Sequence, residues 1–228
     1  MTELKTVEFN PALRVLIRSE VKRGKSLGRI LTNYLVSQQN VSGQVIDLAS
    51  KSDKASYNRF LKPDNSRRII YTDKYSEGDN LLKIDLEQPF GIEDQSCDTV
   101  LCFNALEHVY NYNNVVTESF RILKTGGQFI GSVPFLVNYH PDPNDYFRYT
   151  HEALDKILSQ AGFQDIKIYN LGFGPLTAAY SHSYIFWPKF MRGVVLILSI
   201  RLDQFIVRKR PQWKFRFPLA YFFQATKS

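Results

Sequence analysis

Asp94-Gln-Ser-Cys-Asp-Thr-Val-Leu-Cys-Phe-Asn-Ala-Leu-Glu-His-Val109 contains a short apolar run, Thr99-Val-Leu-Cys-Phe103, and leads into helical spacing over Tyr112–Leu123. A strand-length run followed by an amphipathic helix is one βα unit, and a series of them builds a mainly parallel sheet with helices on both faces. The pattern repeats outward. Upstream, Gln44–Leu48, Arg68–Thr72 and Leu81–Ile84 read as strands. Downstream, a turn at Lys124-Thr-Gly-Gly127 feeds the strand Gln128–Val133. A helix over His151–Ala161 follows, with Thr150 as N-cap and Gly162 in the position where a left-handed C-cap costs least. Asp165–Tyr169 and Leu219–Phe223 complete the set.

A chain of 228 residues, 44% hydrophobic, supports one sizeable core and is short for two. Residues 1–40 are expected to form a helical cover, with Leu13, Leu16, Ile17, Leu27, Ile30, Leu31 and Leu35 at helical spacing and Gly24 as the break. Residues 41–174 and 218–228 form the core domain, and 175–217 a basic, apolar insertion. The net charge of +7 favours anionic partners. It is concentrated after Trp187, where nine basic residues face the single acid Asp203. Nucleic acid draws on this charge alone and is disfavoured as a partner. Cys97 and Cys102 sit an odd number of residues apart on one strand, which points them to opposite faces and away from a disulfide. Met1–Asn10 is mostly polar and unlike a signal peptide, so a cytoplasmic location is expected.

Three segments together resemble the class I S-adenosylmethionine-dependent methyltransferases, in the branch called type 11. They are Val45-Ile-Asp-Leu48, Asp94–Val109 as quoted above, and Phe120-Arg-Ile-Leu-Lys-Thr-Gly-Gly-Gln-Phe-Ile130. The resemblance implies a doubly wound, mainly parallel seven-stranded Rossmann-like sheet with an antiparallel last strand, and S-adenosylmethionine as cofactor. It assigns cofactor binding to Asp47, Ala49, Ser50, Asp73, Asp85, Leu86 and Asn104. Asp73 lies 26 residues after Asp47, comparable with the roughly 20-residue offset of the ribose-binding acid in dinucleotide folds. Asp85 and Leu86 would meet the adenine edge.

The first loop departs from the family. Where D-x-G-x-G-x-G is expected, this chain has Asp47-Leu-Ala-Ser-Lys-Ser-Asp53, with Ala49, Lys51 and Asp53 at the glycine positions. Glycine there permits positive φ and lets backbone amides reach the cofactor's methionine end. Two readings compete: a rearranged loop that still binds, with Lys51 pairing the methionine carboxylate, or a decayed site in a non-catalytic methyltransferase-like protein.

After the fifth expected strand comes Val133-Pro-Phe-Leu-Val-Asn-Tyr-His-Pro-Asp-Pro-Asn-Asp-Tyr-Phe-Arg-Tyr-Thr-His151. It resembles the corresponding run of methyltransferases from bacterial surface-polysaccharide gene sets, which implies O-methylation of a sugar or glycan precursor. Methyl transfer depends chiefly on holding the nucleophile aligned. His140 is the candidate base, since imidazole titrates near neutrality; Asp145 orients it, and Arg148 grips a phosphate or carboxylate. Tyr139, Tyr146 and Tyr149 are expected as a sugar-stacking wall. An ion pair between Arg148 and Asp145, with the tyrosines as loop packing, is the alternative. Glu107 and His108 are too few ligands for zinc, and no metal is expected. The stretch 186–210 resembles an interfacial helix or a lid, giving peripheral membrane contact, and equally a helix buried against the core. Its apolar run Gly193–Ile200 is too short for a bilayer, which needs roughly 20 residues.

Overall fold

The computed structural model describes residues 2–228. In chain order the elements are β1 Leu4–Thr6, α1 Pro11–Lys22, α2 Leu27–Val36, β2 Gln44–Leu48, β3 Arg68–Asp73, β4 Leu81–Lys83, β5 Cys97–Phe103, α3 Tyr112–Ile122 and β6 Leu123–Pro134. They continue with α4 His151–Gln160, β7 Gln164–Leu171, α5 Pro175–Ser183, α6 Lys189–Lys209 and β8 Ala220–Thr226. One sheet in the order β1-β7-β8-β6-β5-β2-β3-β4 holds all the strands. Only β8 runs antiparallel to its neighbours, β6 and β7. All seven expected strands are present, and an eighth, β1, adds a parallel edge through Leu4↔Ile168.

The layers follow from strand alternation, which sends successive side chains to opposite faces. Val45, Leu101, Ile130 and Phe222 point to one face and pack with Leu13 and Ile17 of α1, Ile30 and Leu31 of α2, and Leu196 and Ile200 of α6. Ile46, Val100, Phe129 and Phe223 point to the other, against Val115 and Val116 of α3 and Leu154 and Leu158 of α4. Helix ends form where the sequence supplies caps. Asn10 accepts from the Leu13 amide at 2.9 Å, and Thr150 accepts from that of Ala153 at 3.2 Å, as its position predicts. Gly162 closes α4 at φ +100°.

Two local expectations are corrected. Lys124–Gly127 is not a separate turn but the start of the long strand β6, bent at Gly126, whose N–H donates to the Lys227 carbonyl at 2.7 Å. The cysteines also do not face opposite ways: a bulge between Cys97 and Thr99 shifts the alternation, and both join the same buried cluster as free thiols.

Residues between β7 and β8 form α5 and α6. The buried Asp203 of α6 accepts from the Leu176 and Thr177 amides at 2.9 and 2.8 Å and from the Thr177 hydroxyl at 2.8 Å. It thereby caps α5, whose N-cap residue, Gly174, has no side chain to do so. Among the described residues no helix is long and apolar enough to cross a membrane.

Candidate functional site

β2 is flanked by β3 on one side and β5 on the other, so the chain leaves their carboxyl ends in diverging directions and opens a crevice there. A cavity of about 190 Å³ occupies that crevice, smaller than the roughly 300–1,000 Å³ typical of small-molecule sites. Ala49, Asp73, Asp85, Leu86 and Asn104 line it, together with His108 and, from the loop after β6, Asn144. Five of the seven residues assigned to the cofactor thus share one wall.

The two strand-end carboxylates are held ionised. Burial raises the pKa of Asp73, but hydrogen bonds from Ser76 and from the Tyr75 amide, with Lys51 nearby, outweigh it and leave the group below its ordinary value. Asp85 is lowered likewise, burial being overcome by the Glu87 amide and by Lys74 at 3.0 Å. Both can accept hydroxyl or amine donors from a nucleoside.

Asp47 and Ser50 do not line the cavity. Alternation along β2 gives Asp47 the face of Val45, towards the layer where Tyr57 lies, and the Tyr57 hydroxyl meets its two carboxylate oxygens at 2.8 and 2.7 Å. Burial pushes the Asp47 carboxyl up to about 7 despite those contacts. The Ser50 hydroxyl donates to the Asp47 carbonyl at 3.1 Å. These two residues brace the loop.

The loop keeps the backbone shape that glycines would give it. Ala49 and Lys51 stand at φ +58° and +60°, left-handed conformations in which an L-residue is strained. Both line the crevice, and Asp53 is exposed. The loop amides are committed, however: that of Ala49 donates to the Thr72 hydroxyl at 2.9 Å and that of Lys51 to the Thr72 carbonyl at 3.3 Å. The Lys51 amine stands 3.4 Å from Asp73, not free for a carboxylate partner.

The loop after β6 folds back on the exit of β5. The Tyr146 amide donates to the Glu107 carbonyl at 2.8 Å, and the Tyr149 hydroxyl to the Leu106 carbonyl at 3.1 Å. Tyr149 is therefore buried core and no part of a stacking wall, while Tyr139 and Tyr146 are exposed. Arg148 grips Asp145 through both guanidinium nitrogens, one of them at 2.7 Å. That grip holds the Asp145 carboxyl well below the usual carboxylate range. The ion pair occupies the fork expected to bind substrate. Asp145 also accepts from the His140 amide at 3.0 Å, which sets the imidazole in place.

The same folding brings His140 to Glu107 and His108, which the sequence offered as an isolated pair. His108 and His140 pack edge to face with ring centroids 5.1 Å apart. Their Nε2 atoms stand 3.7 and 3.8 Å from Glu107 Oε1. Glu107 is fully buried, neither of its oxygens has a hydrogen-bond partner, and burial pushes its carboxyl up to about 8.

A sheet in this order, with a crevice at its switch point, is the doubly wound, Rossmann-like fold shared by S-adenosylmethionine-dependent methyltransferases. S-adenosylmethionine is the cofactor of that class. Residues 42–131 match the type 11 family model, described as a methyltransferase domain. A Mycolicibacterium smegmatis protein curated as a probable S-adenosylmethionine-dependent methyltransferase is 30% identical over 79 residues. The match covers 32% of this chain and 31% of that protein, so the chain spans about a third of the curated relative it matches. Solved structures sharing the fold include a methyltransferase from Archaeoglobus fulgidus: 18% identity, 87% of this chain, 94% of that one, TM-score 0.58. One from Thermotoga maritima gives 15% identity, 91% of each chain and a TM-score of 0.58. A phosphoethanolamine methyltransferase of Haemonchus contortus, bound to S-adenosylhomocysteine, gives 13% identity, 86% of this chain, 52% of that one and 0.54.

Proposed function

We propose that this protein is an S-adenosylmethionine-dependent methyltransferase acting on an oxygen of a sugar or glycan precursor. One observation carries the cofactor assignment: the crevice stays open, with ionised Asp73 and Asp85 on its wall, although no glycine remains in the first loop. When bound, S-adenosylmethionine supplies an electrophilic methyl group. Asp73 would accept the ribose hydroxyls, and Asp85 and Leu86 would meet the base. Asn104, at φ +51° with its side-chain oxygen accepting from the Ser132 hydroxyl at 2.8 Å, is a fixed polar group on the same wall.

On the acceptor side, the His140 Nδ1–H donates to the Asn138 carbonyl at 2.9 Å, which leaves Nε2 as the atom able to take a proton. Tyr139 and Tyr146 offer exposed rings on the same loop. The sugar assignment rests on these groups and on the resemblance of residues 133–151 to polysaccharide-associated methyltransferases. Isothermal titration with S-adenosylhomocysteine tests the cofactor assignment, and methyl transfer to nucleotide sugars tests the acceptor class. Absence of both heat and thermal shift at millimolar nucleoside refutes the former.

A second reading, a non-catalytic methyltransferase-like protein in polysaccharide assembly, is favoured by one observation. Thr72 already takes the Ala49 and Lys51 amides, which leaves the methionine end without those donors.

The protein would work in the cytoplasm, in peripheral contact with a membrane. Phe186 and Phe190 are 82% and 83% exposed, and Val194, Leu198, Leu202 and Phe205 continue an exposed apolar stripe towards Arg208, Lys209 and Arg210. A stripe edged by cations suits an anionic lipid surface. Co-sedimentation with anionic but not neutral vesicles, lost in Phe186→Ser/Phe190→Ser, is the expected result; equal recovery with both vesicle types removes the membrane contact.

A further inference from the structure

Glu107 poses a physical problem that the methyltransferase fold does not explain. A carboxyl group with no hydrogen-bond partner is costly to bury, yet both oxygens of this one are sealed from solvent and unpaired. The groups facing it are two imidazoles whose orientations are fixed from behind. A carbonyl oxygen can only accept, so the contact of His108 Nδ1 with the Asn144 carbonyl and that of His140 Nδ1 with the Asn138 carbonyl place a proton on each Nδ1. In the neutral rings each Nε2 then carries a lone pair, and both stand beside Glu107.

We infer that Glu107, His108 and His140 form a binding site for a divalent transition-metal ion of the Zn²⁺ type. Their ligand atoms lie within 4.8 Å of one another. Zinc bonds of about 2.0–2.1 Å in a tetrahedron require ligand separations of about 3.4 Å, so the 3.7 and 3.8 Å to Glu107 need closure by a few tenths of an ångström, and the two imidazole nitrogens, within 4.8 Å of each other, by at most about 1.4 Å. Two histidines and a glutamate with a fourth position left open is the donor set of catalytic rather than structural zinc sites. The outer contacts also fit. Metal-ligating histidines hand their second N–H to a carbonyl or carboxylate, and here Asn144 and Asn138 supply carbonyls while Asp145 lies 3.4 Å from His140 Nδ1.

The charge balance permits a cation. Arg148 and Arg29 are the positive groups that act on Glu107, and Asp145 neutralises Arg148 through a two-pronged ion pair. Glu107 is left as the uncompensated acid at the centre. The donor set selects the ion: imidazole nitrogen suits zinc and its first-row neighbours, whereas Mg²⁺ prefers oxygen and near-octahedral geometry. His108 also lines the cavity, which sets the cluster at the cavity's edge. An acceptor hydroxyl on the open position would be acidified by the metal, in place of the base role of His140.

The test needs neither nucleoside nor acceptor, so it stands apart from the methyltransferase assignment. Untagged full-length protein, treated with chelator, is titrated with Zn²⁺ by calorimetry and with Co²⁺ by visible absorption. The expected result is one ion per chain, with a Co²⁺ band displaced by Zn²⁺ and unaffected by excess Mg²⁺. His140→Ala, on a partly exposed loop, and the isosteric Glu107→Gln should each weaken binding at least tenfold. His151→Ala and His182→Ala should leave it unchanged. Binding that is absent at millimolar Zn²⁺, or that survives both His140→Ala and Glu107→Gln, overturns the site.

Discussion

Lys51→Ala separates the two readings of the first loop. The Lys51 amine stands 3.4 Å from Asp73, its side chain 65% exposed against 5% for the carboxylate. At that distance the attraction runs from about 1 kcal/mol in water to about 5 kcal/mol at an effective dielectric near 20. Exposure of the amine puts it at the lower end, within the roughly 0–1 kcal/mol of surface pairs. A ribose that takes over Asp73 must loosen this pair, so Lys51→Ala should tighten S-adenosylhomocysteine binding by up to about fivefold, the equivalent of about 1 kcal/mol. Alanine keeps the left-handed backbone strain, which makes Lys51→Gly the control. Glycine relieves about 1–2 kcal/mol of strain and loses about 0.4–1 kcal/mol through its freer unfolded chain. Its affinity gain should match that of Lys51→Ala, with a Tm higher by a few degrees, at about 2–4 °C per kcal/mol for a chain of this size. Calorimetry and differential scanning fluorimetry measure the two quantities separately. Binding weakened threefold or more in Lys51→Ala would show that the amine contacts the ligand, and the account of Asp73 would be wrong.

Asp203→Ala should lower Tm by about 6–20 °C, since it strips the cap from α5 and leaves the Leu176 and Thr177 amides without their acceptor, costing about 3–5 kcal/mol; a fall below 2 °C would dissociate α5 from that carboxylate. The Asp47 carboxyl, raised to about 7 in the folded protein from 3.8, keeps a proton that the unfolded chain releases. Stability relative to Asp47→Asn should therefore fall as pH rises from about 4 to about 7 and level off above, with a slope of at most about 1.4 kcal/mol per pH unit. Urea unfolding across that range checks it, and a flat difference contradicts the buried acid. Tyr57→Phe, which removes the hydroxyl that holds Asp47 down, should move the levelling point to higher pH in the same measurement. Gly131→Ala should give no soluble protein, because a Cβ there collides with the Cys102 carbonyl and the Phe223 ring; native-like melting would refute the packing.

The strands and the helices after them were legible because burial on two faces imposes apolar runs of a length that sequence displays directly. β1 was not, since three edge residues paired through their backbone leave no periodicity to read. The cysteine faces failed through a bulge, an insertion that alternation cannot anticipate. Asp47 is a different case: its place at a strand end suggested the crevice, yet counting two residues from Val45 already assigns it to the face covered by α1, α2 and α6. Asp73, which closes β3, does reach the cavity wall, so position in the motif and parity along the strand must agree before a role is transferred.

Glu107 and His108 show the opposite limit. Two adjacent residues cannot announce a three-residue cluster when the third, His140, lies on a loop held back by hydrogen bonds from Tyr146 and Tyr149 to the backbone at Glu107 and Leu106. Local sequence therefore lists side chains able to bind, whereas long-range main-chain contacts decide which of them meet. That division explains why the sheet could be read from one stretch of sixteen residues while the chemistry at its edge required the folded chain.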